Sequence, residues 1–142
     1  MEKPFAAGII PYTEFKGKTY FLLGLERSNN KWSGFVGGSE QGETPRQTAI
    51  REFNEETAMI FKYNGNLANP PIIEKTTTGK TVYLWFVRFP YLMNYSQFYI
   101  NQQLLNDRHY KEKSELRWFS LSEIENGKVL YILKKTILRN FF

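Results

Sequence analysis

Three glutamates, Glu52, Glu55 and Glu56, crowd into the run REFNEET. Side chains of that type at that spacing can grip a hard cation if they share a surface, and a helix would give them one. Thr44 can cap a helix, Pro45 is tolerated in a first turn, and no further Gly or Pro interrupts the segment to Thr57. A helix of about three to four turns is therefore expected. At about 100° per residue, Glu52, Glu55 and Glu56 fall within roughly 100° of arc, beside a face of Ile50, Phe53 and Thr57 suited to burial. Crowded carboxylates repel and raise one another's pKa. A divalent ion that prefers oxygen ligands removes that penalty; Mg²⁺ is the natural candidate, with Mn²⁺ a substitute. The same pattern also fits a solvated acidic helix face.

The residues ahead of the helix favour the cation. Gly37 and Gly38 allow close approach that a side chain would forbid, and such a turn can bring a carbonyl to a metal and amides to a phosphate. Glu43, near the helix start, could orient Arg51 or a ligating carboxylate. The stretch from Gly37 to Met59 resembles the Nudix box, G-x5-E-x7-R-E-U-x-E-E-x-G-U, where U is bulky and apolar. Gly37, Glu43, Arg51, Glu52, Phe53, Glu55, Glu56 and Met59 match it in register. Ala58 replaces the last Gly of the pattern, and Phe35-Val36 stands where many members have Pro-Gly.

Composition closes off other chemistries. The chain has no cysteine, so thiolate nucleophiles, disulfides and Cys-ligated metals are excluded, and its one histidine, His109, rules out His-rich zinc sites. A formal charge of +5 suits an anionic partner such as a nucleotide or RNA, although solubility accounts for it equally well. With no signal-like leader or long apolar span, an intracellular, cytoplasmic and soluble protein is expected.

The elements that must position the acidic helix follow from patterning. Phe5 to Tyr12 and Thr19 to Leu25 read as strands joined through Glu14 to Lys18, and Ile72 to Thr78 and Thr81 to Phe89 as a second hairpin around Gly79-Lys80. The run VYLWFVRF suits a central strand, with Tyr83 and Trp85 either core or the wall of a base pocket. Residues 91–110, with Tyr95, Phe98 and Tyr99, read as an insertion carrying a short helix. KEKSELRWFSLSEI resembles the family's late strand and the helix start after it, with Ser122 the expected cap of the final helix. The tail VLYILKKTILRNFF has helical apolar spacing and should pack on the sheet.

The resemblance implies one Nudix domain over 1–142, an α/β fold of the α+β type with a mixed sheet sandwiched between helices. It implies Mg²⁺-dependent hydrolysis of a nucleoside diphosphate linked to a group X. The implied metal ligands are Glu52, Glu55, Glu56 and the Gly37 carbonyl, with Arg51 and Glu43 holding the carboxylates in place. Arg27 matches a position that often binds phosphate in the family, and Glu112, in preference to Glu115, would enter as a ligand or as the base that takes a proton from water. Two alternatives remain open: an enzyme acting on RNA 5′ ends, and a catalytically silent binding module. A homodimer is compatible with the family.

Overall fold

The computed structural model describes residues 4–129 and 131–141. Its frame is β1 (Ala6–Phe15), which pairs antiparallel with β2 (Lys18–Glu26) through its second half and with β4 (Phe35–Gly38) through its first. Between these lies the short β3 (Trp32–Ser33), paired with β2. Helix α1 (Pro45–Glu56) follows, then β5 (Ile72–Lys75) and β6 (Thr81–Arg88). β6 runs parallel to β1 and carries β5 on its other edge, so the sheet is mixed. Helix α2 (Phe98–Leu105), a 3-10 turn (Arg108–Tyr110), β7 (Lys113–Ser120), α3 (Leu121–Asn126) and α4 (Tyr131–Phe141) complete the chain. β7 pairs with β2 and brings the segment before it next to Arg27, whose backbone amide donates to the Glu112 carbonyl at 3.0 Å.

Alternation in the strands builds two cores. Ala7, Ile9, Leu22, Trp85 and Leu116 face the layer that holds α1, where Ala49 and Phe53 meet them. Ile10, Phe21, Leu23, Leu84 and Phe119 face the opposite layer, against Ile124, Leu133 and Ile137 of the last two helices. Successive strand residues point to opposite faces, so a sheet covered on both sides needs near-continuous apolar strands. β6 shows that pattern: Trp85 is core, with its ring N–H donating to the Asn69 carbonyl at 2.9 Å.

Several boundaries differ from the expectation. The first hairpin turns on Lys16-Gly17 alone, both at positive φ, a conformation that matches strand twist and lets the ladder run to Phe15. β5 stops at Lys75, because Thr76 begins the turn and accepts from Gly79 N and donates to Lys80 O. Ser122 does not cap a helix. Ser120 does, in a reciprocal box with Glu123, since its extended backbone ends β7 immediately before α3. On α1, Phe53 and Thr57 are buried as expected, but Ala49 is fully enclosed while Ile50 is half-buried. Residues 98–105 form the expected short helix, with Phe98 in the core and Tyr99 exposed. The tail packs on the sheet through Leu133 and Ile137; its Leu130 and Phe142 lie outside the described residues.

Candidate active site

Helix α1 starts where its sequence says it should. Thr44 caps it, its hydroxyl accepting from Gln47 N at 3.2 Å while the Gln47 side chain accepts from Thr44 N at 2.9 Å. That cap fixes the phase of the helix, and the phase carries Glu52 and Glu56, four residues apart, onto the face turned toward the sheet. Both are buried. Glu52 lies against Gly37 of β4 so closely that a Cβ on that glycine would sit 2.1 Å from its carboxyl group. Gly37 is thus required by close approach, with no unusual torsion involved.

Arg51 ties the surroundings together. Its Nε donates to Glu43 Oε2 at 2.7 Å, and its Nη2 donates to Glu43 Oε1 at 3.0 Å and to the Gly38 carbonyl at 2.8 Å. Its Nη1 reaches Glu52 Oε1 at 2.8 Å and Glu55 Oε2 at 3.1 Å. Glu43 also accepts from Glu40 N and from the Thr48 hydroxyl, each at 2.8 Å. The hydrogen bond from Arg51 is the main reason that the Glu43 carboxyl falls to about 2, and the same bond pushes the Arg51 guanidinium further up.

The acids behind this brace behave oppositely. Burial raises Glu52, partly countered by the hydrogen bond it accepts from Arg51, and burial raises Glu56 much further, with Lys113 pulling down and Glu52 pushing up. Oxygens of Glu52, Glu56 and Glu112 lie within 4.8 Å of one another. Glu56 Oε2 is buried and finds no hydrogen-bond partner among the described residues. Three converging carboxylates, one with an orphaned oxygen, form the donor set that a hard divalent cation takes. The residues present fit such an ion.

Of the residues marked in the sequence, the structure converges Gly37, Glu52, Glu56 and Glu112. Glu55 stands outside that group: sixty degrees of helix turn separate it from Glu52, toward Arg51, with which it forms an i,i+4 pair. Glu115 is exposed on β7, opposite Leu25. Arg27 is fixed by its Nε donating to the Lys111 carbonyl at 2.9 Å, and it lines a cleft of about 870 Å³ with Glu56, Glu112, Lys111, Arg108 and Gln103. Tyr83 lines a second recess of about 430 Å³ with Phe5 and Lys80. The sequence reading passed over Lys111, Arg108 and the buried Lys113. The last carried one signal, a cation at an inward position of a strand.

Comparison with known proteins agrees with this architecture. The NUDIX domain model matches residues 2–141. The chain is similar in structure to an Ap4A hydrolase from C. elegans in a binary complex, with a TM-score of 0.67 and 23% identity, covering 96% of this chain and 94% of that one. It is also similar to a mutT/nudix family protein from Listeria innocua, with a TM-score of 0.66 and 15% identity over 99% of this chain and 93% of that one. A third likeness is the NUDIX domain of NrtR from Shewanella oneidensis, complexed with ADP ribose, with a TM-score of 0.63 and 15% identity over 95% of this chain and 84% of that one. An uncharacterized protein of Acanthamoeba polyphaga mimivirus, L534, is 39% identical over 62 residues, which is 39% of this chain and 20% of that protein, so the match spans about a fifth of that relative's length. The chain belongs to the Nudix family. Among the described residues no helix is long and apolar enough to cross a membrane.

Proposed function

We propose that residues 1–142 act as one Nudix domain that hydrolyses the phosphoanhydride of a nucleoside diphosphate linked to a second group, with Mg²⁺ as cofactor. The observation that carries this is the orphaned Glu56 Oε2, buried beside Glu52 and Glu112 at the wall of a cleft that Arg27, Arg108 and Lys111 also line. Glu52 and Glu56 would hold the ion, with Glu55 and the Gly37 carbonyl beside them. When bound, a divalent ion neutralises phosphate charge and makes a coordinated water more acidic. Arg27, Lys111 and Arg108 line the same cleft and suit the phosphate chain, since fixed cations stabilise charge that moves to a leaving phosphate. Glu112, the exposed member of the acidic trio, would take the proton as a water oxygen bonds to phosphorus and the anhydride P–O bond breaks. Arg51 and Glu43 keep Glu52 and Glu55 aimed and need not touch substrate. Tyr83 and Phe5, their rings edge-to-face at 5.6 Å, offer an aromatic wall for a base. A cytoplasmic setting, where nucleotides abound, belongs to the same proposal.

The test is Glu56→Gln against a panel of nucleoside triphosphates, nucleotide sugars, dinucleoside polyphosphates and capped RNA, with products identified. Mg²⁺-dependent turnover by the natural chain should fall by orders of magnitude in the variant while the fold survives. Near-normal turnover by the variant would overturn the assignment.

A further inference from the structure

Among the described residues, Lys113 is the one lysine placed where a lysine is expensive. It opens β7 with 1% exposure, and an ammonium taken out of water must find compensation. The compensation is specific. Its Nζ donates to the Ser33 hydroxyl and to the Gly34 carbonyl at 3.1 Å, lies 5.7 Å from the centre of the Phe35 ring, and faces Glu26 Oε1 at 3.6 Å and Glu56 Oε1 at 3.5 Å. Gly24 makes room for the stem: a Cβ there would sit 2.7 Å from Lys113 Cδ. Fold stability alone does not call for this, because an apolar side chain in the same space costs no charge burial.

What the ammonium does is divide the two oxygens of Glu56. Oε1 is engaged by Lys113, and Oε2 is the buried oxygen with no partner. We propose that Lys113 is a positioning residue that holds Glu56 Oε1 and so presents Glu56 to a cation through Oε2 alone, favouring small octahedral ions over Ca²⁺. The chemistry follows from ion size. Mg²⁺ and Mn²⁺ accept single carboxylate oxygens in tight octahedral geometry, whereas Ca²⁺ takes more ligands and readily accepts both oxygens of one carboxylate. The inference rests on the metal site proposed above.

Calorimetric titration of Mg²⁺, Mn²⁺ and Ca²⁺ into the natural chain and Lys113→Met tests it without any turnover. Removing a positive charge strengthens every divalent ion alike, so the informative quantity is the ratio of Ca²⁺ to Mg²⁺ affinity. That ratio should rise about tenfold or more in the variant, the scale on which groups behind metal ligands act. Ser33→Ala, which removes one acceptor of the ammonium and disturbs the core less, should shift the ratio in the same direction by a smaller factor. A folded Lys113→Met with an unchanged ratio overturns the positioning role. If Lys113→Met does not fold, an unchanged ratio in Ser33→Ala does so instead. Failure of the natural chain to bind any of the three ions overturns the metal site itself, a result distinct from either.

Discussion

Replacing Glu43 with Gln removes the anchor of the Arg51 brace while keeping its shape. The carboxylate accepts two bonds from Arg51, one from Glu40 N and one from the Thr48 hydroxyl. Its pKa falls from 4.5 to about 2, with the Arg51 hydrogen bond the largest cause. Unscreened, a drop of that size would be worth about 3 kcal/mol; with water screening the pair, about 1–2 kcal/mol of stabilisation by the ionised form remains. Because the folded pKa is depressed, this contribution is complete above the unfolded value of 4.5 and disappears as pH falls through about 2. Denaturant unfolding of the natural chain and Glu43→Gln, repeated from pH 7 to pH 2, measures it. The natural chain should be more stable by about 1–2 kcal/mol at pH 7, with the gap closing between pH 4.5 and 2. A gap under about 0.5 kcal/mol at neutral pH, the size of an ordinary surface substitution, would refute the reasoning.

Glu56 predicts the opposite pH trend. Burial raises its folded pKa, so its contribution is present below the unfolded value of 4.5 and is lost as pH rises toward the folded one. The metal-free chain should therefore lose stability from this group as pH climbs above 4.5, and the melting-temperature gain on adding Mg²⁺ should grow with pH; a gain independent of pH would count against it. Gly37→Ala places a methyl group 2.1 Å from the Glu52 carboxyl, so Glu52 must move: turnover should collapse, and unfolding should show a loss of about 1–3 kcal/mol. Normal turnover would show that the close approach is dispensable. Arg27→Gln together with Lys111→Gln should raise KM and flatten its salt dependence with little change in kcat, as expected for cations that bind phosphate equally in ground and transition states.

How much of this was legible in the sequence depends on how local each feature is. Thr44, Pro45 and the uninterrupted run to Thr57 specify α1, and helix phase then brings Glu52 and Glu56 to one side. The apolar run around Trp85 marks a strand covered on both faces, as β6 is. Glu112 joins Glu56 only because β7 pairs with β2, a long-range registration that no local pattern carries. Lys113 was harder still. Counting in twos from Phe119 puts it on the face turned away from α1, but a register irregularity between Leu25 and Glu26 of the paired strand breaks the alternation, and its ammonium meets Glu56 of α1 instead. Ala58 is a different case: at φ 53° and fully buried it adopts the left-handed backbone that a Gly would take more readily, so the departure from the box pattern leaves the turn's shape in place.

Anomalous diffraction from a crystal of this chain soaked in Mn²⁺ addresses the central claim most directly. The account predicts a peak between Glu52, Glu56 and Glu112, within about 2.2 Å of Glu56 Oε2. A map with no peak there, or with manganese bound only at other surface acids, would contradict it.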